Sequence, residues 1–267
     1  MTAGRTGFLM ALAAWPVFAG DAQGQTDYFN TDAGRPVRIE DAYATERYAF
    51  ELKLAPVRLE RARGGEYHWS VEPEIAYGIL PRTHVELGLP VAGTDRDGAG
   101  AGGGIAGLEL SALHNLNNET RLLPALALRA DLLLPAGSRA PDEPYASVSG
   151  IMTRSFRFGR IHINGQYTIG PTPATSSMEP AAARWLAGMA IDKTFPLQAF
   201  LIIADVYATQ PLHDDDDVVW NAGAGIRYQL NPRFALDAGL GRRLTGDPTW
   251  SLTFGTAYAF AIRSLIP

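Results

Sequence analysis

The sequence predicts an all-β protein, a transmembrane antiparallel up-and-down β-barrel of about twelve strands. Three observations predict it. Apolar and polar residues alternate at period two along most of the chain, the connections between the alternating stretches are short and long in turn, and an export leader opens a chain in which no later run reaches 18 apolar residues. Composition agrees: 46% of the 267 residues are hydrophobic, 19% are charged and 28 are glycine, which suits many short apolar segments separated by turns.

Residues 1–22 read as a cleaved signal peptide. Arg5 supplies the positive start, Phe8–Ala19 is an apolar run of 12 broken by Pro16, and small residues follow. A bilayer-spanning helix needs about 20 residues, so this run is a leader and not an anchor. Residues 23–45 are polar and irregular, with Asp27, Asn30, Asp32, Gly34 and Pro36. They form an extended periplasmic segment and, by analogy only, a candidate plug.

The barrel occupies 46–267. Tyr48, Phe50, Leu52 and Leu54 oppose Glu51 and Lys53. In 67–77, Tyr67, Trp69, Val71, Pro73, Ile75 and Tyr77 oppose His68, Ser70, Glu72, Glu74 and Ala76. The same sorting marks 85–91, 122–134, 161–169 and 218–230, where Trp220, Ile226, Tyr228 and Leu230 oppose Asn221, Arg227 and Gln229. A helix does not sort residues this way. Weaker alternation at 104–114, 145–155, 184–193, 199–208, 234–241 and 250–260 completes the set. Tight hairpins fall at Ile79–Arg82, Leu116–Thr120, Phe158–Arg160, Phe195–Leu197 and Leu230–Arg233. Longer connections fall at Gly93–Gly103, Pro135–Pro144, Pro171–Ala183, Gln210–Asp217 and Leu244–Thr249. Short periplasmic turns with longer outer loops, and an even strand number, place both chain ends on the periplasmic side of a cell outer membrane.

In hydrocarbon the sheet must close to satisfy its edges. With its apolar side on lipid, the other side turns Glu51, Lys53, Glu72, Glu74, Glu86, Glu109, Arg129, Asp131, His162, Asp205, Arg227 and Asp237 into a polar lumen. That is more ionisable groups than a packed soluble core tolerates. Pairs such as Arg129 with Asp131 predict an ion-pair network that fills the interior, with a selectivity lining for a solute as the alternative.

Other chemistry is excluded or unsupported. The net charge of −5 and the lack of a basic stripe argue against nucleic acid. With no cysteine there is no disulfide framework or thiol nucleophile. His213-Asp214-Asp215-Asp216-Asp217 lacks EF-hand spacing and reads as a solvated loop, and the glycines of Gly98–Gly104 lack the Lys-Ser/Thr of a phosphate cradle. No metal or cofactor is expected. His162-x-Asn164 lacks the serine that outer-membrane lipases place two residues from their histidine, and His68-x-Ser70 faces the interior.

Two resemblances add to this reading. Thr253-x-Gly255-x-x-Tyr258-x-Phe260 is similar to the terminal-strand pattern of outer-membrane barrels, which implies recognition by the barrel assembly machinery, although seven residues follow Phe260. The stretch Glu66-Tyr67-His68-Trp69-Ser70-Val71-Glu72-Pro73-Glu74-Ile75-Ala76-Tyr77-Gly78-Ile79-Leu80-Pro81-Arg82, preceded by Phe50–Val57, resembles the meta-pathway phenol-degradation outer-membrane β-barrel family. That resemblance implies a channel or transporter for small molecules, aromatic or hydrophobic ones included, with membrane lipids and a solute as partners and no catalytic residues. A closed structural or loop-binding barrel and a lipid-modifying enzyme are the alternatives.

Overall fold

The structure, a computed structural model, describes residues 30–61, 66–95, 102–172, 183–212, 217–246, 249–262 and 265. The leader, His213–Asp216 and the loop part of the glycine run, 98–101, lie outside the described residues.

The chain is a single closed antiparallel barrel. Its strand segments are β1 (Ala49–Arg61), β2 (Tyr67–Leu80), β3 (Thr83–Gly88), β4 (Val91–Asp95), β5 (Gly102–Ile105), β6 (Leu108–Asn117), β7 (Ala125–Leu134), β8 (Tyr145–Ser155), β9 (Arg160–Ile169), β10 (Trp185–Phe195), β11 (Phe200–Gln210), β12 (Val219–Asn231), β13 (Phe234–Arg243) and β14 (Trp250–Ala261). β3 with β4, and β5 with β6, are each one interrupted stave, so the fourteen segments build twelve staves. Each stave pairs with its sequence neighbours, and β1 closes the sheet by pairing with both β2 and β14. No described helix is long and apolar enough to cross a membrane.

Alternation decides which way each residue points. On β12, Trp220 is 48% and Ile226 44% exposed, whereas Arg227 between Ile226 and Tyr228 is 1% exposed. An exposed isoleucine beside a buried arginine is the inverse of a soluble protein and fits a barrel with lipid outside. Aromatic residues mark both margins of the outward belt. At the turn end Phe50 stacks on Tyr77 at 4.5 Å and on Phe260 at 5.3 Å, and Phe200 lies between Phe195 and Tyr228. At the loop end stand Tyr67, Tyr167, Trp220 and Trp250. Outward charges such as Arg154, Lys193 and Arg242 sit at strand ends. Arg242 lies 4.9 Å over the Trp250 ring, and Arg154 binds the carbonyls of Thr120, Arg121 and Leu123.

Several expected boundaries move for local reasons. The stave predicted at 122–134 begins at Ala125, and Leu122, 90% exposed, belongs to the preceding turn. There the Thr120 hydroxyl accepts the Leu122 and Leu123 N–H groups, and Pro124 has no N–H to offer a ladder. The stave at 85–91 is interrupted between Gly88 and Val91, because Pro90 lacks a donor. The stave at 104–114 is broken at Gly107, whose φ of +144° disfavours any side chain. Gly102–Gly104 are part of β5 and not of a loop. Tyr48 precedes β1, with φ +65°, and its N–H donates to the Gly78 carbonyl.

Candidate lumen site

Residues 30–45 lie inside the barrel. They have no strand partner, so their backbone groups must be satisfied by wall side chains. The Thr253 hydroxyl donates to the Pro36 carbonyl at 2.8 Å. Asp205 Oδ2 accepts the N–H groups of Arg38 and Ile39 at 2.8 and 3.3 Å. Asn164 reads Glu40 with both ends of its amide, accepting the N–H and donating to the carbonyl, each at 2.9 Å. Ala42 donates its N–H to Thr153 and accepts from Asn115, and the Thr45 N–H donates to His84 Nδ1. The segment is a loop that returns on itself. Asp41 Oδ2 accepts from the Thr31 N–H, and the Asp41 N–H donates to the Thr31 carbonyl. Its tip at Pro36–Arg38 reaches the half of the lumen nearer the long loops, where glycines make room for it. A Cβ at Gly225 would lie 2.6 Å from Pro36 Cβ, and one at Gly239 would overlap the Pro36 carbonyl.

Charge pairing fixes the same loop to the wall. Asp32 lies 2.7 Å from Arg35, 2.9 Å from Lys53 and 3.0 Å from Arg227, and Arg35 in turn reaches Asp237 at 2.9 Å. Burial of Asp32 would raise its pKa, but Arg35, Lys53 and Arg227 together hold it well below the usual carboxylate value. Glu40 sits 3.4 Å from Arg129, which is not enough: burial pushes its carboxyl up to about 8. Asp41 is raised as well, by burial, against Arg160 at 3.8 Å.

Each sequence candidate has a definite place. Lys53 joins Asp32, Glu74 and Glu86. Arg129 joins Glu86 at 2.9 Å, Asp131 at 2.6 Å and, more distantly, Glu109 at 3.9 Å. Arg227 links Asp32 to Glu51 at 3.6 Å and donates to the Asn30 carbonyl at 2.6 Å. Glu72 and Glu109 flank the space over Gly88 together with Glu74. Asp205 and Asp237 bind the loop, as above. His162 forms a separate cluster: Nδ1 is 3.0 Å from the Thr153 hydroxyl and Nε2 is 2.8 Å from Asp192, which Arg160 also grips at 2.6 Å. The order Thr153, His162, Asp192 imitates a nucleophile, base and acid. Thr153, however, is fully buried and its oxygen already accepts the Ala42 N–H, so the group works as a clamp on the loop. Thr253 and Gly255 face inward, the latter leaving room for the Asp237 carboxyl, whereas Tyr258 and Phe260 belong to the outer aromatic margin. No group of described residues could hold a metal ion.

The candidates missing from the sequence reading are Arg160, Asp192, Thr153, Asn164, Asn115 and His84 on the wall, and Asp32, Arg35, Glu40 and Asp41 on the loop. Some wall members share the parity of residues that were identified, Arg160 and Asn164 with His162 and His84 with Glu86, whereas Asp192 lies on β10, where the weak alternation singled out no residue. The loop members carry no periodic signal at all.

The interior also has two apolar areas. Val37 and Ile39 pack on Leu186, Ala190, Leu201 and Ile203, with Tyr207 beside them. Ala42 packs with Leu113, Ala125, Ala127 and Ile151, against Tyr43 and Ala44.

No family model matches the chain, and no curated protein does. Among solved structures the chain is similar to an outer membrane channel from Pseudomonas putida F1, with 15% identity over 86% of this chain and 100% of that one and a TM-score of 0.55. It is also similar to KdgM porin, with 10% identity over 79% and 99% of the respective chains and a TM-score of 0.51. At such identities what is shared is the fold, the closed barrel of outer-membrane channels.

Proposed function

We propose that the chain is an outer-membrane channel for small molecules whose lumen is closed at rest by residues 30–45, which act as a plug. The observation that supports this most directly is the mode of attachment. The loop is held by side-chain hydrogen bonds, ion pairs and side-chain packing, all of which can be exchanged for water or solute without breaking a ladder. A purely structural filling would leave the interior equally closed, and the density of ion pairs around Lys53 and Arg129 favours that second reading. What favours passage is the wall under Val37 and Ile39. Leu186, Leu201 and Ile203 give a polar lumen an aliphatic strip, suited to solutes with an apolar or aromatic body. The lumen-facing Glu51, Glu72, Glu74, Glu109 and Asp131 would then line the path. In this reading the leader directs export, and Thr253, Gly255, Tyr258 and Phe260 serve the assembly machinery.

The test is solute flux into proteoliposomes, read by swelling with neutral solutes of graded size and with single-ring aromatic alcohols. The channel reading expects swelling that rises when residues 30–45 are deleted. Deleted barrels that fold and pass no solute would leave the structural reading standing.

A further inference from the structure

The outer surface carries a charged feature that neither the plug nor the lumen uses. At the loop end, residues directly opposite one another on adjoining staves form a row across the seam that closes the barrel. Tyr67 on β2 faces Arg61 on β1, Arg61 faces Trp250 on β14, and Trp250 faces Arg242 on β13. Residues so paired share one side of a sheet, and here all four are exposed on the outward side. Arg61 lies 5.7 Å over the Tyr67 ring and Arg242 4.9 Å over the Trp250 ring. A guanidinium held on a ring face keeps its N–H edges for another acceptor. Neither arginine has a hydrogen-bond or ion-pair partner among the described residues. At the turn end, by contrast, outward cations are already occupied: Arg154 donates to three backbone carbonyls, Arg82 to that of Leu116 and Lys193 to that of Arg157. The row ends at a carboxylate, Asp95, beyond Tyr67 and two staves away from Arg61. Two residues nearer the turn end, Leu59, Leu252 and Leu240 face one another on the same three staves. They form an exposed aliphatic row about 7 Å below the arginines.

We infer that this row is a headgroup site for a phosphorylated lipid of the outer leaflet. Long loops face outward in outer-membrane barrels, which sets the row at the outer margin of the hydrocarbon. Arg61 and Arg242 stand two inter-stave spacings apart, about 10 Å, with the Trp250 ring between them. Each guanidinium donates to a phosphate oxygen, a charge-assisted contact for which its planar fork is suited. The indole lies at headgroup level, and the acyl chains run along Leu59, Leu252 and Leu240. The leucine row holds those chains in place beneath the two cations, an advantage that a free phosphate lacks. The site is independent of whether the lumen passes solute.

The test titrates the whole mature chain in detergent micelles with a disaccharide lipid carrying two phosphates, with the same lipid dephosphorylated, and with inorganic phosphate, and counts bound lipid by native mass spectrometry. The phosphorylated lipid should be held about tenfold or more tightly than its dephosphorylated form, and millimolar inorganic phosphate should not displace it. Arg61→Gln and Arg242→Gln should each weaken it about fivefold, and the double variant about twentyfold or more. Both positions lie on the outer surface, and folding is checked by heat-dependent gel mobility. Lys193→Gln removes an outward charge at the turn end and should leave binding unchanged. Equal retention of the two lipids by the unaltered chain would overturn the inference, and so would a folded double variant that binds like the parent. Displacement by inorganic phosphate would make this an ion site and overturn the assignment to lipid. Equal losses in Lys193→Gln and the arginine variants would mean diffuse charge attraction and overturn the placement at this row.

Discussion

Among single residues, the buried charges that join plug and wall decide the most. The Asp237 side chain is fully buried, and its Oδ2 is met by Arg35. Arg35→Ala therefore strands a buried carboxylate, at a cost of about 3–5 kcal/mol, roughly a hundredfold or more in the population of the undocked plug. Trypsin cleavage at Arg38 should accelerate accordingly, and the double variant Arg35→Met with Asp237→Asn should return it most of the way. Glu40 gives a pH dependence. Its carboxyl is raised from an ordinary 4.5 to about 8 in the docked state, so the docked plug holds a proton that the released plug gives up between those values. Docking is firmest below about 4.5 and loosens as pH rises towards about 8. Asp41, also raised, acts in the same direction, whereas the lowered Asp32 acts only in acid, below its ordinary value of 3.8. Hydrogen exchange of residues 37–42, corrected for intrinsic rates, should show this slope in the native chain and a shallower one in Glu40→Gln. Little of this was legible beforehand. Parity placed Arg129, Arg227 and Asp237 inside, but a wall charge carries no mark of the partner it faces across a lumen.

The element scale was the most legible, because a strand with lipid on one side and polar contacts on the other must alternate, and alternation survives in the sequence. β2 and β12 could be read residue by residue. The misplacements fall where a single residue ended pairing: Pro124 moved Leu122 into a turn, and Pro90 and Gly107 split two staves. Pro56, Pro73 and Pro90 lie on successive staves, with Leu54 paired to Pro73 and the Leu89 N–H donating to the Pro73 carbonyl, so the register shift in β1 between Lys53 and Val57 belongs to the same irregular band. The outward belt makes a prediction with a clear sign. Ile226→Arg places a charge on the lipid face near mid-strand and should destabilise the barrel by about 2–4 kcal/mol, read from urea unfolding in vesicles. A change within a few tenths would mean that this face does not meet hydrocarbon.

For the molecule as a whole, twelve staves leave a lumen wider than side chains alone fill in an eight-stranded barrel and narrower than that of the 16-stranded porins. The chain occupies that space with its own residues 30–45, whose aliphatic and charged groups match two wall patches and a ring of ion pairs. An irregular segment has no period to read, so the sequence offered a place inside the barrel for it by analogy only, and the wall contacts of residues 30–45 emerged from the fold. In the proposed channel it is that loop which closes the lumen. Single-channel conductance in planar bilayers tests it most directly, comparing the mature chain with one lacking residues 30–45. Small or intermittent currents from the former and a steady, several-fold larger conductance from the latter are expected; equal conductance from two folded barrels would contradict it.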